Sequence, residues 1–522
     1  MLVVTVLYVV AGVWLAIYGL NALVLAGLYL YHRRDPVRAA SETGAAPLPV
    51  VTVQLPIYNE RHVVERLIDA AAALDWPRDR LQVQVLDDSD DETTVLARAC
   101  VEMHRQRGIE IEWVRRPDRA GYKAGALAVG LTRARGEFVV IFDADFVPPR
   151  DFLRRAVPPF FDRPALGLVQ ARWSHLNTDY SALTRAQSLA LDGHFVVEQT
   201  ARNRSGLLMN FNGTAGVWRR VCIEASGGWR GDTLSEDLDL SYRAQLAGWD
   251  CLYLPQVSAP AELPPQLAAF KRQQFRWAKG SIQCLRKLWK TIALGKPPTT
   301  SDGLPVASAP RRLTLVQRVA ALVHLSSYLA HPLMLILLLC SLPLFLYPRA
   351  ANLPMAMAYL GLASLGPPLV YALAQHALYP DWPRRLLYFP VLALLGTGIA
   401  LNNTRAVIEA FSGQSGTFAR TPKFHLEGKG GRWADSAYRL PVGWTTLGEA
   451  FLALYALVAV AVAWRTGNFY AIPFMSLYVG GFGLTAWLDV WQARGRWRGG
   501  RSLGCPSRKA SRSEAQIDFR QS

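Results

Sequence analysis

Cysteine is scarce and scattered. The six thiols stand at positions 100, 222, 251, 284, 340 and 505, with no pair at metal-ligand or redox spacing, so they read as reduced and buried. Charge is missing altogether from residues 2 to 31, LVVTVLYVVAGVWLAIYGLNALVLAGLYLY, and His32, Arg33 and Arg34 follow. The run also lacks a basic start and a clear small-residue cleavage site, and it is too long for a signal peptide. It predicts a membrane anchor able to cross ~30 Å of hydrocarbon. Acidic residues are the minority, 40 against 57 Lys and Arg, for a formal net charge of +17. A nucleic-acid binder would carry such charge, but the basic residues collect beside apolar runs and in a tail from Arg494 to Arg520. That placement fits the inner leaflet of a membrane, and no nucleic-acid partner is expected.

Further apolar runs occupy 319 to 347, 350 to 380, 386 to 404, 446 to 464 and 466 to 488, leaving 32 to 318 as a block of mixed charge. Arg33 and Arg34 predict a cytoplasmic block. If 386 to 404 also crossed, the basic loop 411 to 445 and the tail would both lie outside, against the positive-inside rule. Residues 386 to 410 are therefore expected to form an interfacial helix with Asn402, Asn403 and Arg405 wetted, leaving five crossings. The expected organisation is an anchor at 1–34, a cytoplasmic domain at 35–260 and interfacial amphipathic helices at 261–318. Two spans follow at 319–380, then the interfacial helix and a loop at 386–445, two spans at 446–490 and a basic cytoplasmic tail at 491–522.

From 50 to 175, short β-rich runs (VVTVQLPIY, LQVQVLD, IEIEWV, EFVVIFD, LGLVQARW) alternate with helical stretches. This predicts an α/β, Rossmann-like domain with a mostly parallel sheet, covered on both faces, beside an α-helical transmembrane region. Ligands in such sheets sit at the carboxyl ends of the strands. Tyr58, Asn59 and Glu60 follow the first strand, Asp87 and Asp88 the second, Asp143 and Asp145 the fourth. Acids converging on one rim repel unless a cation sits among them.

Each motif has a plainer reading. D-x-D arises by chance and as turn chemistry, and Ser89 to Glu92 reads as a cap for a helix at Thr93. Ser235 reads as a helix cap and Glu236 and Asp237 as its dipole partners, although a catalytic carboxylate could occupy the same place. FKRQQFRWAK, residues 270 to 279, has the pattern of a helix on a membrane surface.

Taken together and in order, LDD, FDADF, SED and Q-x-x-R-W (Gln273, Arg276, Trp277) resemble the processive family-two membrane glycosyltransferases of the cellulose-synthase-like group. The phrases QVLDDSDDETT, GYKAGAL, GLVQARW, FNGTAGVWR and QQFRW are similar to its mannan and glucan synthases, and the resemblance covers about 50 to 425. Two positions depart from the group: Ser235 stands where threonine is usual, and Arg420 replaces valine in the gating-loop pattern at Phe418 to Lys423.

The resemblance implies a GT-A fold, a nucleotide-sugar donor such as UDP-glucose or GDP-mannose, and Mg²⁺ or Mn²⁺. Tyr58, Glu60, Asp87, Asp88 and Lys123 would hold the nucleotide, and Asp143 and Asp145 the diphosphate and metal. Asp237 would be the general base. Glu236, Gln273, Arg276 and Trp277 would bind diphosphate and acceptor, and Thr421 and Lys423 would close over the donor.

The implied activity is an inverting hexosyltransfer that extends a β-linked, 1,4-type glycan processively in the plasma or inner membrane and passes it across. Its partners would be the donor, a growing glycan or lipid acceptor, and membrane lipids. Two rivals are a single-addition glycolipid-forming transferase and a transporter carrying a nucleotide-sugar-binding domain.

Overall fold

The computed structural model describes residues 1–35, 48–295, 312–347, 360–413, 419–433, 436 and 438–498. A long apolar helix, α1 (Leu2–His32), precedes the α/β unit. Strands β1 (Val51–Ile57), β2 (Leu81–Asp87), β3 (Ile111–Arg115) and β4 (Phe138–Ile141) alternate with helices α2 (Val64–Ala72), α3 (Thr93–Gln106) and α4 (Tyr122–Arg133). With β5 (Leu166–His175), β6 (Gly216–Arg219) and β7 (Asp250–Ala261) they make a seven-stranded sheet ordered β3-β2-β1-β4-β6-β5-β7. Only β6 runs antiparallel to its neighbours.

Gln54 and Gln84, which alternate with apolar residues as if facing water, are fully buried. Their amide nitrogens form a ladder, Gln54 Nε2 to Gln84 Oε1 at 3.0 Å and Gln84 Nε2 to Glu112 Oε1 at 2.7 Å. Helix α4 covers this face closely, since a Cβ on Gly130 would meet Gln54 Nε2 at 2.5 Å. Each buried amide nitrogen thus finds an acceptor, while Gln54 Oε1 has no hydrogen-bond partner among the described residues. The five described cysteines are unpaired, four buried and Cys251 half-buried; Cys505 lies outside the described residues.

Beyond the sheet come α5 (Glu236–Leu246), the 28-residue α6 (Leu267–Leu294), α7 (Ala330–Leu346), α8 (Gly366–Leu378), α9 (Phe389–Gly398), α10 (Ala400–Phe411), α11 (Thr445–Arg465) and α12 (Ile472–Arg498). Four helical stretches are long and apolar enough to cross a membrane: Leu2–His32, Ser327–Leu346, Thr445–Arg465 and Phe469–Ala493. A fifth span is possible by length if Trp382–Gly398 and Ala400–Phe411, bent by 43°, count as one. Of the run 350 to 380, residues up to 359 lie outside the described residues; the remainder is a 3₁₀ turn, Gly361–Leu365, followed by α8.

The segment expected as one wetted interfacial helix is therefore broken. Gly398 at the break touches α12, where a Cβ would meet Gly481 O at 2.4 Å. Asn402 and Asn403 are buried instead of wetted, because Asn402 donates to Lys271 O at 3.0 Å and Asn403 bonds His331 at 2.9 Å. Arg405 is exposed.

Candidate active site

The chain leaves β1 through Asn59, whose left-handed φ of 55° asparagine tolerates. Asn59 is pinned to the next strand end by its N–H to Ser89 Oγ at 2.9 Å and its side-chain amide to Asp90 at 2.7 Å. This turn presents Tyr58, with the Arg119 guanidinium 3.3 Å from its ring centroid, and the buried Glu60. Burial pushes the Glu60 carboxyl up to about 8 despite Arg420 and Lys423 nearby.

Asp87 and Asp88 part company. Asp87 is buried and accepts the Ser89 N–H at 2.9 Å and the Trp113 indole at 3.0 Å, so it builds the strand end and does not line the cavity. Asp88 does line it, gripped by Arg116 through Nε at 3.0 Å and Nη2 at 2.5 Å.

At the end of β4, Asp143 is fixed by its N–H to Thr214 Oγ1 at 2.9 Å and meets Lys123 Nζ at 2.5 Å. Lys123 also donates to Gly213 O at 3.0 Å and lies 3.8 Å from Glu236. Burial opposes the charge on Lys123, but Asp143 and Glu236 outweigh it and raise the ammonium above its ordinary value. Asp145, two residues along, meets Lys423 Nζ at 2.5 Å.

Helix α5 opens at Glu236 and Asp237. Ser235 does not cap it by a side-chain bond. Helix α6 crowds that hydroxyl, since a Cβ on Gly280 would lie 2.1 Å from Ser235 Oγ. Gly213, at φ +84°, lets the backbone pass Asp237, where a Cβ would stand 2.8 Å from Oδ2. Burial first, then the neighbouring Glu236 charge, raises the Asp237 carboxyl to about 7. Gln273, Arg276 and Trp277 share one face of α6 at i, i+3 and i+4.

Arg420, Thr421 and Lys423 lie across the opening, so all the expected residues except Asp87 border one cavity of about 150 Å³. That is smaller than the ~300 Å³ lower bound usual for small-molecule sites.

Two contributors escaped the sequence reading. Glu262, buried at the end of β7, accepts the Phe424 N–H at 2.8 Å and the Leu426 N–H at 3.1 Å, holding the 420–426 segment down. Arg116 orients Asp88; its only sequence signal was a basic residue just past a strand end. Among the described residues, the one cluster of three metal-type ligands is Asp69, Cys100 and His104, on α2 and α3 and away from this cavity.

Residues 48–280 match the family described as glycosyltransferase like family 2. That segment, a little under half of the chain, is similar to family-two glycosyltransferases. Glucomannan 4-beta-mannosyltransferase 2 of Arabidopsis thaliana is 46% identical over 272 residues, 51% of this chain and 50% of the relative. Glucomannan 4-beta-mannosyltransferase 1 of Oryza sativa subsp. japonica is 42% identical over 290 residues, 53% of this chain and 56% of the relative. The chain spans about half the length of the curated relatives it matches. A mannosyltransferase from Pyrobaculum calidifontis, solved with GDP-mannose and Mn²⁺, superposes with a TM-score of 0.51 at 22% identity, over 78% of this chain and 99% of that one. The matched segment thus has the GT-A fold, and every candidate residue up to Trp277 falls within it.

Proposed function

We propose that this chain is an inverting, membrane-bound hexosyltransferase that transfers mannose from GDP-mannose to a growing β-1,4-linked glycan. The observation that carries the reading is Asp237. A carboxyl raised to about 7 stands in one cavity with Asp143, Asp145, Arg276 and Trp277, which is the setting a general base needs. The mannosyltransferase relatives favour GDP-mannose over UDP-glucose.

Asp237 would take the proton from the acceptor hydroxyl as it attacks the anomeric carbon, so no covalent sugar intermediate is needed. Arg276, Lys123 and Lys423 would stabilise charge on the departing diphosphate. Trp277 offers an apolar ring face for the acceptor's terminal sugar. Tyr58, Arg119 and Asp88 would hold the nucleoside.

Asp143 and Asp145 fit a divalent ion: both present carboxylate oxygens to the cavity and each already draws an ammonium to 2.5 Å. Such an ion, Mg²⁺ or Mn²⁺, would supply charge neutralisation at the diphosphate, with diphosphate and water completing its ligands.

The positive-inside argument supports a plasma- or inner-membrane placement with the GT-A domain and the 419–445 segment on the cytoplasmic side. Residues 499–522 of the expected basic tail lie outside the described residues.

A donor screen on the full chain in membranes, scoring nucleoside diphosphate release and then glycanase-sensitive product, tests the reading. GDP-mannose should turn over fastest and give a polymer cut by β-1,4-mannanase. Exclusive formation of organic-soluble glycolipid would replace the polymer with single addition, and binding without turnover would sink the enzyme.

A further inference from the structure

Beside the candidate active-site cavity, with which it shares Arg276 and Leu234, lies a larger one of about 590 Å³ between α6, α10 and the start of α11. Five cationic side chains and two carboxylates border it. Local pairs account for much of that charge. Lys271 is held by Glu449 and Asp489, each at 2.6 Å, while Lys279 and Arg405 share Glu409. Arg272 has no carboxylate partner among the described ion pairs. Its recorded hydrogen bond is a long one, 3.4 Å, to the carbonyl of Arg420.

The cavity wall is therefore left cationic. Its rim is aromatic and apolar. The Arg405 guanidinium lies 5.0 Å from the Phe275 ring and 5.5 Å from that of Trp444. Trp444 is 68% exposed, and Leu447 and Phe451 on the first turns of α11 are also exposed. A neutral glycan carries no charge to complement that cationic wall. An anionic head group with acyl chains attached would find complementary charge in the cavity and apolar surface along α11.

The geometry points to a binding site for the phosphate of an anionic membrane lipid, held by Arg272 and Arg405 with its chains along Leu447 and Phe451. It rests on the membrane placement proposed above, and it joins the lipid surface to the helix that carries Gln273, Arg276 and Trp277.

The test is lipid retention by the full chain reconstituted in discs of phosphatidylcholine with phosphatidylglycerol, then released and read by native mass spectrometry. Wild type should keep one phosphatidylglycerol, an R272Q/R405Q pair should keep about tenfold less, and an R272K/R405K pair should keep it. Equal retention by wild type and the glutamine pair overturns the site, as does equal loss in the lysine pair, which would mean that charge is not what binds. Displacement of the lipid by inorganic phosphate or GDP alone would assign the cavity to a soluble phosphate and overturn the lipid. Retention is read without turnover, so an inactive protein that still holds phosphatidylglycerol defeats the transferase reading and leaves this one standing.

Discussion

Lys423 Nζ lies 2.5 Å from Asp145 Oδ2, so an ammonium from beyond α10 occupies one of the two carboxylates proposed for a divalent ion. An ammonium and a divalent ion cannot share that oxygen without repulsion, which for a single against a double charge at a partly buried site reaches ~8 kcal/mol at 4 Å. If Asp145 holds a divalent ion, Lys423 would have to leave that carboxylate and could then meet the donor's diphosphate. Lys423→Ala should bind Mn²⁺ about tenfold more tightly without donor, by calorimetry, yet turn over at least tenfold more slowly. Unchanged metal affinity would mean that the lysine does not compete for the seat.

As the proposed general base, Asp237 should set the acid side of the pH profile. Its carboxyl is raised to about 7 by burial and by Glu236, and a general base works only when deprotonated. Activity should therefore fall as pH drops through about 7, where an unperturbed aspartate would keep it until about 4. Asp237→Asn should lower kcat by roughly 10²- to 10⁴-fold while leaving GDP affinity nearly unchanged. An acid limb that survives in the asparagine variant would move the base to another group.

What the sequence made legible and what it hid divide along physical lines. The acids at strand ends were visible because each follows a short β-rich run, and their order was specific even where each motif was weak. β7 was missed because Pro255 and Pro260 interrupt it; it pairs only with β5, with a register shift at Ala171/Arg172, and proline is tolerated at such an edge. The four-residue β6 is too short to show a period. Asp87 and Asp88 are identical in sequence terms and are separated only by side-chain alternation, which turns one toward Trp113 and the other toward the cavity. Glu262 and the buried asparagines depend on partners far away in the chain.

Arg116 is the test of whether Asp88 needs to be held. Its Nε and Nη2 grip both carboxylate oxygens, while Nη1 and Nη2 also reach the carbonyls of Ala120 and Tyr122 at 2.7 and 3.0 Å. A lysine cannot reproduce that fork. Arg116→Lys and Arg116→Ala should each raise the donor KM about tenfold with kcat changed less than twofold, as steady-state kinetics would read. A matching fall in kcat would place Arg116 at the reacting centre instead.

The last relationship ties α6 to the long apolar helices. Lys271 was expected on a surface-lying helix, but its ammonium is buried between Glu449 of α11 and Asp489 of α12, with Thr446 Oγ1 donating to Asp489 at 2.9 Å. Removing the cation leaves two carboxylates buried side by side, and breaking such a pair from one side typically costs about 3–5 kcal/mol. Lys271→Met should therefore lower the thermal midpoint of the detergent-solubilised chain markedly. Adding Glu449→Gln and Asp489→Asn should recover most of the loss, because the triple variant has no buried charge left to desolvate. Gln273, Arg276 and Trp277 lie on the same helix, so the single variant should also lose turnover even at temperatures where it stays folded, while the GDP affinity of Asp88 and its neighbours holds. If the single and triple variants melt alike, packing of the lysine stem and not its charge joins α6 to the spans.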